Sequence, residues 1–570
     1  MFASRADAAV YAGIQFGEDI IADGIIVVDG NNYARTTAGV EAAIAALGST
    51  GGQVFLTCGS YAINDVLDIT KSNVSITGEG LCTVLRLADS TNMTVILVSG
   101  ATHVTIENLK IDGNNSNQTV SVHGINFASG SDYSLVDRVH ITATEARCID
   151  FDESDYGIVQ NSRLEDCGEL SGQNTARSAV GINSSDGVKI VNNLIDTPAG
   201  AGVYLGIGAD TAPDQYLISG NTFINVHQDG ELGGTSAIHG DQVAGGVISE
   251  NICRDFPDTA HGVNCIFMRG TSGTADSRVI VSNNWADQIT GVCVELQGGA
   301  SIIEGNRCEM IGEGEDANAI YISSNDDYTI INANYIDSPY QAGIALIGDV
   351  DNVTITNNII KNSNTKSAIL FNPGAGQVDK HILIANNQLF DDQETPTQSR
   401  GIAKIGSGTL EDVIMFNNYM AGNTTGDINS MPSDGLVKSH SNIGLMGGNS
   451  TNSPFSTELR FYEQAPNGSN YIGFKAASSL SGDVIWTLPI ADAVGLIQSN
   501  GSGTLSISNV LSGTVSLDGG TGAFGFKADG SVGGCLMLRD TDDAGWTECC
   551  ALDGVLSCAI DADGTIDGTL

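Results

Sequence analysis

Positive charge is scarce in this chain. Its 570 residues hold 24 Lys and Arg against 67 Asp and Glu, a net charge of −43 with neutral His. Such a field repels phosphate backbones and anionic headgroups, which excludes nucleic acid and membrane surfaces as partners. Aromatics make up only 6% and Pro only 10 residues. No run of 18 apolar residues occurs, so no helical membrane insertion is expected. The opening MFASRADAAVYAGIQFGEDI lacks the basic and apolar regions of a secretory signal. Charged residues reach 16%, below the usual level of about 25%, whereas hydrophobic residues reach 41%. That content buries a large core and excludes a disordered polyanion.

What is abundant is Gly, Asn and small or β-branched apolar residues, and they recur. An apolar residue followed three positions later by Asn appears as IVQN, IVNN, ISGN, ISEN, VSNN, IEGN, INAN, ITNN, IANN and MFNN. This places Asn161, Asn193, Asn221, Asn251, Asn284, Asn306, Asn334, Asn358, Asn387 and Asn418 at intervals of 22 to 33 residues. Between them lies a second strand, a small residue before a β-branched one: HGINF, RCIDF, VGINS, AGVYL, SAIHG, NCIFM, NAIYI, AGIAL, SAILF and RGIAK. One such unit cannot bury its own apolar side chains. Stacked on the next at about 4.8 Å it continues a parallel sheet and buries a shared column. The pattern predicts an all-β chain folded as a right-handed parallel β-helix. Asn suits the bend because it tolerates a left-handed backbone and its amide can bond to the next Asn, forming a ladder. Upstream, YSLVDRVHI puts Arg138 at the Asn position.

The stretch TTAGVEAAIAALG reads as an amphipathic helix with Val40, Ala43, Ile44 and Leu47 on one face and Thr36 or Thr37 as N-cap. It is expected to cap the open end of the β-helix. With the GG-x-V-x-L…G-x-Y pattern from Gly51 to Tyr61, the chain resembles the pectate-lyase-like superfamily over roughly residues 36 to 425. After Asn418 the ladder stops in a Gly-, Ser-, Asn- and Thr-rich linker. LRFYEQAPNGSNYIGFK and CLMLRDTDDAGWTECCALDGVLSC then read as antiparallel hairpins. They are similar to modules of phage tail fibres and tailspikes. That resemblance implies a homotrimer held to a virion adaptor protein by its N-terminus, made in the host cytoplasm and acting at the host surface as part of the tail. The expected organisation is residues 1–35 for attachment, 36–425 the capped β-helix, 426–458 a linker, 459–507 a hairpin module and 508–570 a Cys-containing trimerisation module.

Cys58, Cys82, Cys148, Cys167, Cys253, Cys265, Cys293 and Cys308 lie in apolar segments and read as small core residues. Cys535, Cys549, Cys550 and Cys558 lack a CxxC and a nearby His, so no zinc site is expected there, only disulfides or buried thiols. DADGTID at 561 to 567 reads as a polar turn rather than a calcium loop. No cofactor or metal is expected.

Chemistry is sought on the second strand, where alternate residues point outward and stack into columns. The first expected column runs Asn126, Asp150, Asn183, Tyr204, His239, Phe267, Glu295 and Tyr321, then Ala345, Leu370 and Ala403. The second holds Asp152, Asp241, Arg269, Gln297 and Ser323. Aromatic faces mixed with carboxylates, amides and an Arg suit sugar rings, so Tyr204, Phe267, Arg269, Gln297, Tyr321 and Asn183 are candidate substrate contacts. Asp241 and Glu295, two coils apart, form the first acid pair for inverting hydrolysis, and Asp150 with Asp152 or Glu153 the second. His227, His239, His261, Asp229, Glu231, Asp241 and Asp258 concentrate ionisable groups nearby. A lyase would instead use His239, Tyr204 or Tyr321 as base, with Arg269 neutralising a uronate. The expected function is recognition of host surface polysaccharide with depolymerisation by an endo-glycosidase. The alternatives are a polysaccharide lyase and a receptor-binding fibre that binds without cleaving.

Overall fold

The structure, a computed structural model, describes residues 24–429 except 121, 169–176, 207–211, 227–235, 258–261, 271–277, 313–317, 324–326 and 365. Beyond 429 it describes only short strands. The chain divides into two units, 1–459 and 460–570.

The first unit is a right-handed parallel β-helix of three parallel sheets with 16, 15 and 14 strands. Each coil contributes one strand to each sheet. Lys189–Val191 lies in the first sheet, Leu194–Asp196 in the second and Val203–Gly206 in the third. Register is kept from coil to coil, as in Ile190↔Ile218, Ile195↔Phe223 and Val203↔Ile238. In-register stacking buries the same face of every strand, and Val54, Ile76, Ile106, Val136, Val159 and Ile190 form one such fully buried column. Each side chain of this kind is worth about 1.5 to 3 kcal/mol when buried.

The bend between first and second sheets assigns to two residues what the sequence pattern gave to one. The left-handed backbone falls on the residue before each ladder Asn, at Asn192, Glu250, Asn283, Ala333, Asn357, Asn386 and Asn417, and at Gly220 and Gly305. The ladder itself runs unbroken from Asn193 to Asn418. Each Nδ2 from Asn193 to Asn387 donates to the Oδ1 of the next Asn at 2.9 to 3.0 Å and to a backbone carbonyl of the preceding coil. Each Oδ1 also accepts the backbone N–H of the previous Asn. Asn161 and Arg138 are corrections. Both have positive φ and take the left-handed place, while Ser162 and Val139 occupy the ladder place. A β-branched residue three positions upstream marks either place, so the pattern could slip by one.

Helix α1 (Thr37–Ala46) covers the N-terminal end, burying Val40, Ala43 and Ile44. Thr36 is its N-cap, accepting the Gly39 N–H at 3.3 Å, and Lys71 Nζ donates to the carbonyls of Ile44, Ala45 and Leu47 at its C-terminus. The Gly51–Tyr61 motif has a physical basis. Gly51 sits at φ +85, where a Cβ would lie 2.1 Å from the Asn73 carbonyl, and the buried Tyr61 hydroxyl donates to Val28 or Thr57 carbonyls. Strand Ile25–Val28 pairs with Gly52–Leu56, so the first sheet begins ahead of residue 36. At the other end Val437–His440 and Ile443–Gly444 extend the first and second sheets into the stretch read as linker. The second unit contains antiparallel pairs, Leu496–Ser499 with Leu505–Ser508, and Cys535–Arg539 with Trp546–Leu552 and Val555–Cys558. The side chains of its four cysteines, and residues 561 to 567, lie outside the described residues.

The cysteine reading needs correction. Cys148–Cys167, Cys253–Cys265 and Cys293–Cys308 are buried, as expected, but disulfide-bonded. Each ties the second sheet to the third across a corner, where the turns are long. Cys58 and Cys82 are exposed thiols.

Asp379 is buried, and neither carboxyl oxygen has a hydrogen-bond partner among the described residues. Burial pushes its pKa up to about 8. Between about pH 4 and 8 the unfolded chain has lost this proton and the folded chain keeps it, so stability falls as pH rises, by about 1.4 kcal/mol per unit. Asp379→Asn should remove that slope in chemical denaturation at several pH values. Asn306→Ala strips partners from Asn284, Asn334 and the Val281 carbonyl. At about 1 to 3 kcal/mol per buried orphan, its unfolding free energy should drop by several kcal/mol.

Candidate functional site

The outer face of the third sheet gathers most of the expected residues. Register pairs Tyr204↔His239, His239↔Phe267, Phe267↔Glu295 and Glu295↔Tyr321, and beside them Asp241↔Arg269 and Arg269↔Gln297. Asn183 is misplaced in the expected first column. Asp150 pairs with Gly181, and Asn183 follows Asp152 in the second column. The β-branched residue of that coil aligned with Ile149 and Val203 is Val180, and Ile182, also buried, aligns with Phe151 and Leu205. A slip of two residues keeps the inward and outward faces and so leaves the alternation intact.

The aromatic column differs from expectation in what it offers. Tyr204 and His239 stack at 5.6 Å between centroids and 12°, and His239 and Phe267 at 4.7 Å and 26°. Coil spacing of about 4.8 Å brings equivalent rings to stacking distance, so they use their faces on each other. The Arg147 guanidinium lies 5.6 Å from the Tyr204 ring centroid and covers the end of the stack. Ring edges therefore line the strip. Toward the C-terminus, Ala345, Leu370 and Ala403 are buried in a small apolar cluster with Ala342, against which Tyr321 packs. The polar strip ends there.

Two carboxylate groups occupy the strip. In the first, Arg269 donates from Nε at 2.9 Å and from Nη2 at 2.6 Å to the same Asp241 oxygen. Glu295 accepts from Asn264 Nδ2 and Gln297 Nε2, both at 2.8 Å. In the second, Arg147 Nη1 donates to Asp150 Oδ1 at 2.5 Å, and Asn183 Nδ2 donates to the same oxygen at 3.1 Å. Arg147 and Asp150 are only 5% and 6% exposed, so this pair is shielded from solvent although it sits on the outer face. Gly181 makes this arrangement possible, since a Cβ there would meet Arg147 Nη1 at 2.4 Å and Asp150 Oδ1 at 2.5 Å. Asp152, two residues on, is exposed, and its pKa is raised by burial of part of the carboxyl and then by the charges of Asp150 and Glu153. Beside them, His123 Nδ1 and Asn126 Oδ1 are buried atoms with no partner among the described residues.

Arg147, His123, Gly181 and Asn264 were not singled out by the sequence. Arg147 had one signal, a cation directly before Cys148 and the third-sheet strand in a chain with 24 cations. His227, Asp229, Glu231, Asp258 and His261 lie outside the described residues. Ser323 follows the strand that carries Tyr321.

Burial between its neighbours pushes the His239 pKa down to about 4. The imidazole is neutral at neutral pH. The unfolded chain takes up this proton near pH 6.5 and the folded chain near 4, so stability rises with pH across that window, opposite in sign to Asp379. A His resonance titrating near pH 4 should be visible by NMR. His239→Phe should remove it and steepen the fall in stability between pH 4 and 6.5 that Asp379 causes.

Comparison with solved structures gives likenesses at the level of fold. The A-module of the mannuronan C-5 epimerase AlgE6 of Azotobacter vinelandii is 13% identical at TM-score 0.38, over 72% of this chain and 96% of that one. A catalytic domain of a GH87 α-1,3-glucanase in complex with nigerose is 15% identical at 0.42, over 75% and 70%. The catalytic unit of the thermostable GH87 α-1,3-glucanase of Streptomyces thermodiastaticus strain HF3-3 is 14% identical at 0.43, over 77% and 72%. No curated protein matches the chain. The family described as the right handed beta helix region matches residues 59–223 and 178–389, more than half of the sequence and most of the Asn ladder, and the chain belongs to that family.

Proposed function

We propose that the chain binds a polysaccharide along the outer face of the third sheet and hydrolyses it with Asp152 as general acid and Asp150 as base. The observation that carries this is the opposite setting of two adjacent carboxyls. Asp150 Oδ1 accepts from both Arg147 and Asn183, whereas the proton on Asp152 is favoured by burial and by the neighbouring negative charge. Carboxyls whose environments diverge in this way divide into acid and base. Two residue rises along a strand set the two backbones about 6.6 Å apart, from which outward side chains can bring the carboxyls to the separation used for inversion. The unpartnered His123 Nδ1 and Asn126 Oδ1 supply polar atoms for a sugar hydroxyl. Asp241 and Glu295 fit the acid role less well. One is bound by Arg269, and both oxygens of the other accept from amides. With Arg269 engaged and a net charge of −43, a neutral polymer suits the strip better than a polyanion.

The finer reading is a phage tailspike or tail fibre, a homotrimer attached to the virion by its N-terminus and recognising host surface polysaccharide. The antiparallel strands after residue 460 support it. A second reading, a secreted polysaccharide-acting enzyme, is favoured by the three disulfides, which form and persist in oxidising surroundings. Gel filtration separates the two, a stable trimer supporting the tail protein and a monomer at micromolar concentration opposing it.

The activity test incubates the full chain with surface polysaccharides and follows polymer size, reducing ends and unsaturated uronate absorbance together. Hydrolysis should give reducing ends without the absorbance. Asp152→Asn and Asp150→Asn should each lower the rate at least a hundredfold while polymer binding persists. Unsaturated product would move the chemistry to His239 as base. Binding without shortening would leave a receptor-binding protein.

A further inference from the structure

The N-terminal coils carry a side-chain cluster that the groove does not use. Cys58 and Cys82 immediately precede strands Gly59–Ile63 and Thr83–Leu87, whose first residues are register partners. The two thiols thus sit at equivalent places one coil apart, both exposed. Glu79 lies between them along the chain. Its Oε2 accepts the Cys58 N–H at 2.7 Å, and its own N–H donates to Thr83 Oγ1 at 3.0 Å, which fixes the carboxylate at the thiols. One ligand atom from each of the three side chains lies within 4.8 Å of the others.

We propose that Cys58, Cys82 and Glu79 bind a thiophilic divalent cation, zinc foremost, through two thiolates and one carboxylate, with solvent at the fourth position. Tetrahedral zinc with Zn–S bonds of about 2.3 Å holds two sulfurs about 3.8 Å apart, inside the present spread, so only side-chain rotation is needed. Thiolate and carboxylate together match the preference of a borderline-soft ion, and an open fourth position requires only water. The charges favour it as well. Cys82, first through a hydrogen bond and then by charge, and Glu79 disfavour ionisation of the Cys58 thiol while Arg35 favours it, and a dication seated between the two sulfurs and the carboxylate offsets the repulsion among them. Binding displaces the two thiol protons to solvent, so affinity rises with pH. The backbone on both sides is already ordered by the parallel register, so the ion meets a formed site. It would tie two successive coils together beside the helix-capped end.

The test titrates the full chain with Co²⁺ under oxygen-free conditions and compares it with the Cys58→Ser/Cys82→Ser double variant. Both positions are exposed, so the variant should fold. The four C-terminal cysteines are common to both proteins, which makes the difference spectrum the readout. A thiolate-to-cobalt charge-transfer band saturating at one equivalent and displaced by Zn²⁺ is expected in the difference. Glu79→Gln should keep the band and weaken affinity at least tenfold. Zn²⁺ should raise the Tm of the parent chain and not of the double variant. Identical cobalt spectra for the two proteins would overturn the proposal. So would equal counts of reactive thiols, since that would mean Cys58 and Cys82 are joined as a disulfide.

Discussion

The in-register parallel stack, with a repeat of about 4.8 Å, is the constraint on which everything else in this protein depends. Its most specific expression is the Asn ladder. Burying an amide leaves two donors and an acceptor to satisfy, and stacking satisfies them all. One N–H goes to the next Asn, the other to a carbonyl of the previous coil, and the oxygen takes an amide and a backbone N–H. A one-residue slip in any coil would break these bonds and turn the apolar residues outward. The ladder therefore adds register to what the aliphatic core supplies in free energy.

The same repeat that builds the core also builds and restricts the site. It aligns Tyr204, His239 and Phe267 without any special device, because equivalent strand positions are superposed. It also consumes their faces, because coil spacing and ring-stacking distance nearly coincide. The position that departs from repetition is Gly181. Its missing side chain opens room in the column for Arg147 to reach Asp150 and the edge of the Tyr204 stack. The most enclosed ion pair on this face thus sits where the repeat is interrupted, since a uniform column of side chains leaves no such room.

Buried ionisable groups give this acidic chain opposed responses to pH. Asp379 is held protonated inside the coil and His239 is held neutral outside it, both by desolvation. Between pH 4 and 6.5 their slopes oppose each other. Above that window, up to about pH 8, Asp379 alone of the two contributes, and the folded state bears the cost of holding a proton that the unfolded chain has released.

The sequence alone was enough for the fold, the cap helix and the composition of the strip, because periodicity is a one-dimensional property and stacking converts it directly into columns. A threonine N-cap at 36 or 37, the inward Ile and Val, and the column from Tyr204 to Tyr321 were all legible, and the structure selects Thr36. Three things were not. The exchange of roles between Asn161 and Ser162, and the shift of Asn183 to the second column, depend on register, which a sequence motif fixes only to within a residue or two. The disulfides depend on which sheets meet at a corner, a distance across coils that spacing along the chain does not encode. The Arg147–Asp150 pair depends on a glycine in the following coil, and only tertiary structure decides where an absent side chain leaves room for a charge.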